Sequence, residues 1–343
     1  MDFPACGSST PMPDSHVKPP LHPMHSQTPP AIAVDASVVI CTFRRPRLLR
    51  ACLDSLASQA NPCGAWEVVV IDNCPDESGR ATVDASSARL AHHGVEVRYA
   101  AESKPGVAHA RNRGLAEAKH PVICFLDDDE QALPGWLTQL LEPFARLGDA
   151  VDMVAGEVEP DFGAAGRPDW LVDEFLHMFS CHWGWDTKPR FLADREWFGE
   201  GNCAFRSRLF GSSGFDPLLG RRGDSLGAAE GIVFTRFRQQ GARAFYAPDA
   251  KVSHFIHPER LSKRWMLRRQ FHQGMSDSLA HRSIGMPPLV SKVGIQLDMV
   301  QSIDLDSADT AQLKRLCWVY YRLGYFVATT TADPLVAPGA AMP

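Results

Sequence analysis

Four short apolar segments alternate with helix-forming segments in the first 130 residues, and this alternation constrains the fold more than any other feature. The four predicted strands are Ser37–Thr42, Trp66–Ile71, Val95–Tyr99 and Pro121–Leu126. Strands that alternate with helices at this spacing form a mostly parallel sheet, because right-handed crossovers return the chain to the same end of the sheet. The sequence therefore predicts an α/β fold with helices on both faces of the sheet.

Polar residues follow three of these strands at their carboxyl ends. Thr42 ends the first strand, Asp72 follows the second, and the four acids Asp127–Glu130 follow the fourth. Sheets of this kind bind ligands beyond the carboxyl ends of their strands. We therefore expect these three groups to converge on one binding site.

The acidic run Asp127–Glu130 has two interpretations. Adjacent carboxylates raise one another's pKa values unless a cation neutralises them, and oxygen ligands at this density suit Mg²⁺ or Mn²⁺ better than zinc. The alternative is an acidic surface turn before a helix that starts near Pro134. The convergence with Thr42 and Asp72 favours the metal site.

Composition and charge exclude several classes of protein. The chain has 343 residues and a formal net charge of −5, which gives no general attraction to nucleic acid. Its nine cysteines show no spacing typical of zinc sites and fit a reducing compartment. No segment approaches the ~20 apolar residues that span a bilayer. We expect a cytoplasmic protein, with peripheral contact at the inner face of the membrane left open.

The second half of the chain has a weaker pattern. Strands are predicted at Val151–Val158, Phe198–Arg206, Ala242–Tyr246 and Lys251–Phe255, and helices at Glu230–Gln240, Leu261–Leu279 and about 307–332. The helix Leu261–Leu279 is basic, which fits either a solvated face or a surface that meets anionic lipid headgroups.

Four motifs in the first half occur in the order found in one enzyme family. They are Val38–Pro46, Val69–Asn73, Gly106–Gly114 and Phe125–Asp129. Together they resemble the family 2 glycosyltransferases, which have the Rossmann-like GT-A fold, over about residues 37–275 of this chain. The resemblance implies a metal-dependent enzyme that moves a sugar from a nucleotide-sugar to an acceptor hydroxyl, with inversion at the anomeric carbon.

The resemblance also assigns the donor side of the reaction. Phe125–Asp129 is similar to the family's DxD motif, so Asp127 would face the ribose and Asp129 would hold Mg²⁺ or Mn²⁺ on the diphosphate. Asp72 would contact the nucleotide base. The full set of expected nucleotide-sugar contacts is Thr42, Arg44, Asp72, Arg111, Asp127 and Asp128, and the expected metal ligands are Asp129 and His254.

The acceptor side lies in the second half. Gly199–Arg206 looks like the family's acceptor-site strand, and the expected acceptor contacts are Gly201, Asn202 and Trp265. Glu230 stands where the family has its catalytic base, while Ala229 replaces the acid that usually precedes it. A glutamate keeps the chemistry of a carboxylate base, whereas the missing acid bears on substrate positioning.

The expected organisation is a disordered Pro/His-rich tail (1–36), a nucleotide-sugar-binding half (37–150), an acceptor-binding and catalytic half of the same domain (151–282), and a C-terminal helical extension with its tail (283–343). The donor would be linked to UDP, GDP or dTDP. The acceptor would be a glycan, a lipid-linked intermediate or a small molecule, in glycan or cell-envelope polysaccharide biosynthesis.

Two alternatives remain at this point. One is a catalytically weak or inactive member that binds a nucleotide or glycan, which Ala229 motivates. The other is a sugar-phosphate nucleotidyltransferase, which shares the metal-binding acids but usually has a Gly-rich phosphate loop after its first strand. Arg44 and Arg45 provide only a weak equivalent of that loop.

Overall fold

The computed structural model of the protein describes residues 33–61, 64–182, 184, 187–193, 196, 198–211, 213–219, 232–286 and 304–330. Residues 1–32 of the predicted tail (1–36) therefore lie outside the described residues. Val34 is already buried, and the first strand begins at Ala36, one residue before the predicted start.

The first half forms the predicted parallel sheet. Its strands are β1 (Ala36–Thr42), β2 (Trp66–Asp72), β3 (Glu96–Ala101) and β4 (Val122–Leu126). They lie in the order β3-β2-β1-β4, and each neighbouring pair is parallel. Three parallel pairs in this order place the ends of β1, β2 and β4 at one edge, as the sequence predicts.

The second half extends the sheet into a mixed one. Its strands are β5 (Glu130–Ala132), β6 (Met153–Asp161), β7 (Arg190–Phe191), β8 (Asn202–Arg206) and β9 (Ala244–Phe255). β8 runs antiparallel to β4 and to β6, and the sheet continues through β9 to β5, with β7 on the other part of β9. The sheet is thus parallel in its first four strands and mixed as a whole.

Two elements differ from the sequence prediction. The two strands predicted after residue 242 are one strand, β9, whose pairing with β6 shifts register between Gly156 and Glu157. The shift accommodates Pro248, because a bulge tolerates a residue that cannot donate a ladder hydrogen bond. β5 was not predicted, and it removes Glu130 from the acidic turn by pairing it with His254.

Helices cover both faces of the sheet. They are α1 (Pro46–Leu56), α2 (Arg80–His92), α3 (Val107–Glu117), α4 (Trp136–Leu147), α5 (Ile232–Gln239), α6 (Lys263–Ser283) and α7 (Thr310–Thr330). On β1, Val38 and Ile40 face the apolar layer that contains Leu49 of α1, while Val39 faces the layer that contains Ala108 of α3. This alternation is expected for a strand buried on both sides.

The C-terminal helices pack closely on each other. A side chain at Gly274 of α6 would overlap the carbonyl of Tyr321 in α7, and one at Gly324 would overlap the carbonyl of Phe271. Glycine is therefore required on both helices for this approach. Within the described ranges, no helix is long and apolar enough to cross a membrane.

Candidate functional site

A cavity of ≈1770 Å³ opens at the carboxyl ends of β1 and β4. Its wall includes the β1–α1 junction, the acids after β4, the segment that precedes β8, parts of α3, α5 and α6, and Tyr321 of α7. Of the predicted site residues, the structure places these along it: Thr42, Arg111, Asp127, Asp128, Asp129, Gly201, Asn202, His254 and Trp265.

The three aspartates after β4 have different surroundings. The side chain of Asp127 is 42% exposed, whereas those of Asp128 and Asp129 are buried. Thr42 Oγ1 donates a 2.7 Å hydrogen bond to Asp128 Oδ2. Nη1 of Arg45 lies 3.0 Å from both Asp128 Oδ1 and Asp129 Oδ2. Asp127 is therefore the member of the run whose carboxylate a ligand reaches most easily.

Burial and repulsion divide the pKa values of these acids. Burial, with Asp129 adding repulsion, raises the pKa of Asp128 to about 7. Burial, with repulsion from Asp127 and Asp129, raises the pKa of Glu130 well above its ordinary value. Burial also acts against ionised Asp129, but His254, Arg45 and Arg260 together hold its pKa well below the usual range. Asp129 is thus the buried carboxylate that stays charged.

Two imidazoles flank Asp129. Nε2 of His254 lies 3.7 Å from Asp129 Oδ1, and Nε2 of His257 lies 3.9 Å from Asp129 Oδ2. The His257 nitrogen is buried and has no hydrogen-bond partner among the described residues. Burial, then Arg260 and Arg45, lower the pKa of His257 and so favour the neutral ring, which is the form that binds metals. The sequence analysis did not identify His257.

The side chains as they stand form no closed metal cage. In the described part of the chain, no group of three or more His, Cys, Asp or Glu side chains converges closely enough to hold an ion alone. Mg²⁺ is commonly bound by one or two carboxylates together with substrate phosphates rather than by such a cage. Asp129, with the orphaned Nε2 of His257 and with His254 beside it, fits that open kind of site.

Arg111 of α3 reaches the same acids from the opposite side of the sheet edge. It is buried, with Nη2 3.5 Å from Asp127 Oδ1 and Nη1 3.7 Å from Glu200 Oε2. Gly201 lies against these carboxylates, since a Cβ there would come within 2.6 Å of Glu130 Oε1. The predicted Gly201 is therefore needed for the close approach of this segment to the acids.

Arg44, a predicted nucleotide-sugar contact, lies away from the cavity. Its guanidinium is exposed and pairs with Asp76 at 3.2 Å, and it is absent from the cavity wall formed by the described residues. Its neighbour Arg45 lines the cavity and bridges Asp128 and Asp129. The sequence signal was present as an Arg-Arg pair after β1, but which of the two arginines faces the acids depends on the positive φ of 56° at Arg44.

Asp72 also has a different environment from the one expected. It is fully buried; Oδ1 accepts a hydrogen bond from Cys74 N, and Oδ2 accepts bonds from Gly79 N and the Tyr99 hydroxyl. Asp72 is not among the described residues that line the cavity, whereas the residue after it, Asn73, is. The Asp72 carboxylate thus holds the turn after β2, and the surface of that turn faces the cavity.

Asn202 lines the cavity but its side chain is fully engaged elsewhere. Its Oδ1 accepts a 2.7 Å hydrogen bond from Trp136 Nε1, and its Nδ2 donates bonds of 2.8 Å to the carbonyls of Glu157 and Ala250. Both amide hydrogens are therefore used within the fold. The Asn202 side chain thus joins β8 to β6, β9 and α4, and an acceptor contact at Asn202 stays a prediction.

Trp265 and Glu230 complete the predicted set. Trp265 lines the cavity and stacks on Phe179, with ring centroids 5.2 Å apart. Glu230, the predicted catalytic base, and Ala229 lie outside the described residues.

The sequence of this chain matches a known protein family. The model of the family described as "Glycosyl transferase family 2" matches residues 37–209, which is half of the chain. The chain belongs to glycosyl transferase family 2. It is a glycosyltransferase.

Two relatives align with most of the chain. The "Glucosyl-dolichyl phosphate glucuronosyltransferase" of Haloferax volcanii is 28% identical over 256 residues, 70% of this chain and 75% of its own length. The "Succinoglycan biosynthesis protein ExoM" of Rhizobium meliloti is 29% identical over 254 residues, 72% and 76% of the two chains. Relatives of this chain therefore act in the synthesis of glycans.

A solved structure supports the fold. The mannosyltransferase PcManGT from Pyrobaculum calidifontis, in complex with GDP-Man and Mn²⁺, superposes with a TM-score of 0.51 at 20% identity, covering 92% of this chain and 80% of its own. The agreement extends beyond the residues of the family match, so the GT-A fold includes the second half of the sheet.

Proposed function

We propose that this glycosyltransferase transfers a sugar from a nucleotide-sugar to an acceptor hydroxyl with the help of a divalent cation, in the synthesis of a glycan or cell-envelope polysaccharide. The observation that carries the proposal is the pairing of a half-exposed Asp127 with a buried, charged Asp129 that two imidazoles flank. This arrangement presents one carboxylate to a ligand and keeps the other ready for a cation.

Mg²⁺ or Mn²⁺ would be held by Asp129 with His257 or His254, and the oxygens of the donor's diphosphate would complete its coordination. When bound, the ion supplies charge neutralisation for the departing nucleoside diphosphate. The orphaned Nε2 of His257 supports this assignment, because a buried polar atom without a partner costs free energy that a ligand removes.

The remaining charges of the site suit an anionic donor. Arg45 and Arg260 lie at the cavity wall beside Asp129, and Arg111 holds Asp127 from the α3 side. Preorganised cations of this kind stabilise the charge that develops on a leaving group. Thr42 fixes Asp128 by its hydrogen bond, so the acids keep their orientation before the donor enters.

The acceptor hydroxyl must lose a proton as it attacks the anomeric carbon. We assign the base to Glu230, which lies outside the described residues, and we infer direct displacement with inversion. A well-placed general base contributes roughly a hundred- to ten-thousand-fold to the rate. Transfer that is unchanged in Glu230→Gln would remove Glu230 from this role while leaving the donor site intact.

The printed names of relatives narrow the substrates only by class. The relatives are a glucuronosyltransferase acting on a glucosyl-dolichyl phosphate and a succinoglycan biosynthesis protein, and the solved neighbour holds GDP-Man and Mn²⁺. We propose a donor linked to UDP, GDP or dTDP and an acceptor that is a glycan or a lipid-linked intermediate.

Thermal unfolding with UDP, GDP and dTDP, each with and without Mn²⁺ or Mg²⁺, tests the donor and metal proposals together. We expect one nucleotide to raise the melting temperature only when the cation is present, because ligands that bind the folded state stabilise it. Stabilisation by no nucleotide, or equal stabilisation with EDTA, contradicts the proposal.

A further inference from the structure

A row of side chains on α6 faces the cavity and has no part in the donor site. Its members, which we call the α6 ridge, are Trp265, Arg269, Gln273, Asp277 and His281, at intervals of four residues. All five line the cavity, together with Tyr321 of α7. Residues at this interval form one continuous ridge along a helix surface, so the cavity has a polar wall about four turns long.

The α6 ridge is held in place by its own hydrogen bonds. Arg269 Nη1 donates to Gln273 Oε1, and Gln273 Nε2 donates to Asp277 Oδ1 at 2.6 Å. Tyr321 donates to Asp277 Oδ2 at 2.8 Å, which ties the ridge to α7. Each carboxylate oxygen of Asp277 can accept more than one hydrogen bond. The ridge is thus preorganised and still able to bond to a ligand.

The cavity is large enough for a second occupant beside the donor. Pockets for one small molecule typically enclose roughly 300–1,000 Å³, whereas this cavity measures ≈1770 Å³. The donor proposal uses the wall around Asp127 and Asp129. The wall formed by α6 and α7 belongs to the same cavity, and a transferase must bring its acceptor into the space that its donor occupies.

We propose that the α6 ridge binds the acceptor, and that the acceptor presents neutral sugar hydroxyls to it. This inference rests on the proposed transfer function. A sugar hydroxyl can both donate and accept a hydrogen bond. The ridge offers both kinds of partner, because the Asp277 carboxylate accepts hydrogen bonds, the Arg269 guanidinium donates them, and the Gln273 amide does both. Arg269 and Asp277 carry opposite charges on either side of Gln273, so the ridge as a whole favours neither an anion nor a cation, and a sugar face can pack on the ring of Trp265.

A glycan microarray that carries neutral oligosaccharides beside uronic-acid and phosphorylated ones tests the proposal with the full-length protein, in Mn²⁺ and the nucleotide found by thermal unfolding. We expect the wild type to bind neutral glycans. Arg269→Ala and Gln273→Ala each weaken that binding about tenfold, in keeping with the loss of a hydrogen bond. The matched control is Arg282→Ala, an exposed arginine at the end of the same helix, which leaves glycan binding unchanged.

The nucleotide-dependent rise in melting temperature separates failure of this proposal from failure of the donor site. If both ridge variants keep the nucleotide effect and lose glycan binding, the acceptor assignment stands. Binding of charged glycans alone, unchanged glycan binding in both variants, or a wild type that binds nucleotide but no glycan would each overturn it. Gln273→Ala keeps the experiment informative if loss of buried Arg269 prevents folding.

Discussion

The two edges of the parallel sheet each bury carboxylates, and they treat them in opposite ways. At the amino edge, Glu67 accepts hydrogen bonds from Ser37 Oγ at 2.7 Å and Lys119 N at 2.9 Å, and pairs with Arg98 at 2.9 Å. At the carboxyl edge, the acids of Asp127–Glu130 crowd together and share Arg45 and Arg111.

The pKa values express this difference. Burial works against ionised Glu67, but Arg98, Ser37 and Lys119 more than offset it and lower its pKa. At the other edge burial prevails, and the pKa values of Asp128 and Glu130 are raised. The amino edge is thus a neutralised structural pair, whereas the carboxyl edge crowds carboxylates together so that the charged forms of Asp128 and Glu130 are disfavoured. Carboxylates whose pKa values are shifted by burial and by neighbouring charges are typical of functional sites.

Asp129→Ala is the strongest test of the carboxyl edge. We expect sugar transfer to fall by about a hundred- to a thousandfold, the loss typical of removing one preorganised electrostatic contact, with a smaller loss of folding stability than in Arg45→Ala because one charged hydrogen bond of Arg45 remains. Initial rates and thermal unfolding measure the two effects. The exposed Asp149→Ala serves as control, and a variant at Asp129 that retains cation-dependent transfer contradicts the comparison.

Arg45→Ala tests whether the carboxyl edge depends on the guanidinium that bridges Asp128 and Asp129. Two charged hydrogen bonds are lost, so the free energy of unfolding should fall by about 1.5–3 kcal/mol. Arg44→Ala is the matched control, because its exposed pair with Asp76 adds nothing measurable. Urea unfolding compares them, and equal stabilities would show that the bridge is unimportant.

Glu67→Gln breaks the amino edge. It removes the carboxylate that pairs with Arg98 while keeping the shape of the side chain, and we expect a loss of about 1–3 kcal/mol in the free energy of unfolding. Donor binding should not change, because Glu67 lies at the opposite end of β2 from the cavity. A weaker response to nucleotide in this variant would mean that the two edges are coupled.

The smallest effect is the pH dependence of that loss. The pKa of Glu67 lies below its ordinary value of 4.5 in the folded protein, so the pair stabilises fully above that value and loses its effect as pH falls through the lowered pKa. The stability difference between wild type and Glu67→Gln should therefore shrink from about pH 7 to about pH 3.5. Urea unfolding at both pH values measures it, and a constant difference contradicts the assignment.

The local sequence pattern predicted the strand that places the acids at the site. The fourth strand was expected at Pro121–Leu126 and is found at Val122–Leu126, and the acids follow it directly. A buried strand carries its own signal in a continuous apolar run. β9 was predicted as two strands, Ala242–Tyr246 and Lys251–Phe255, and its bulged pairing with β6 shows that it continues between them.

Side-chain directions at the site were harder to predict. Arg44 and Arg45 are adjacent in sequence, yet one faces solvent and the other bridges two acids. Asn202 matched a family motif, but its amide is used by three partners that are 45 to 66 residues away. The four-residue spacing of the α6 ridge is visible in the sequence, but the sequence did not show that this side of α6 faces the cavity.

The sequence by itself determined the parallel sheet, the edge at which the polar residues meet, and the acidic run at the end of β4, because each depends on periodicity and on the chemistry of neighbouring residues. Tertiary structure decided that Arg45 bridges the acids, that His257 lies beside Asp129, and that α6 forms one wall of the cavity. These facts depend on contacts between segments far apart in the chain, and no local pattern records which side chains such contacts bring together.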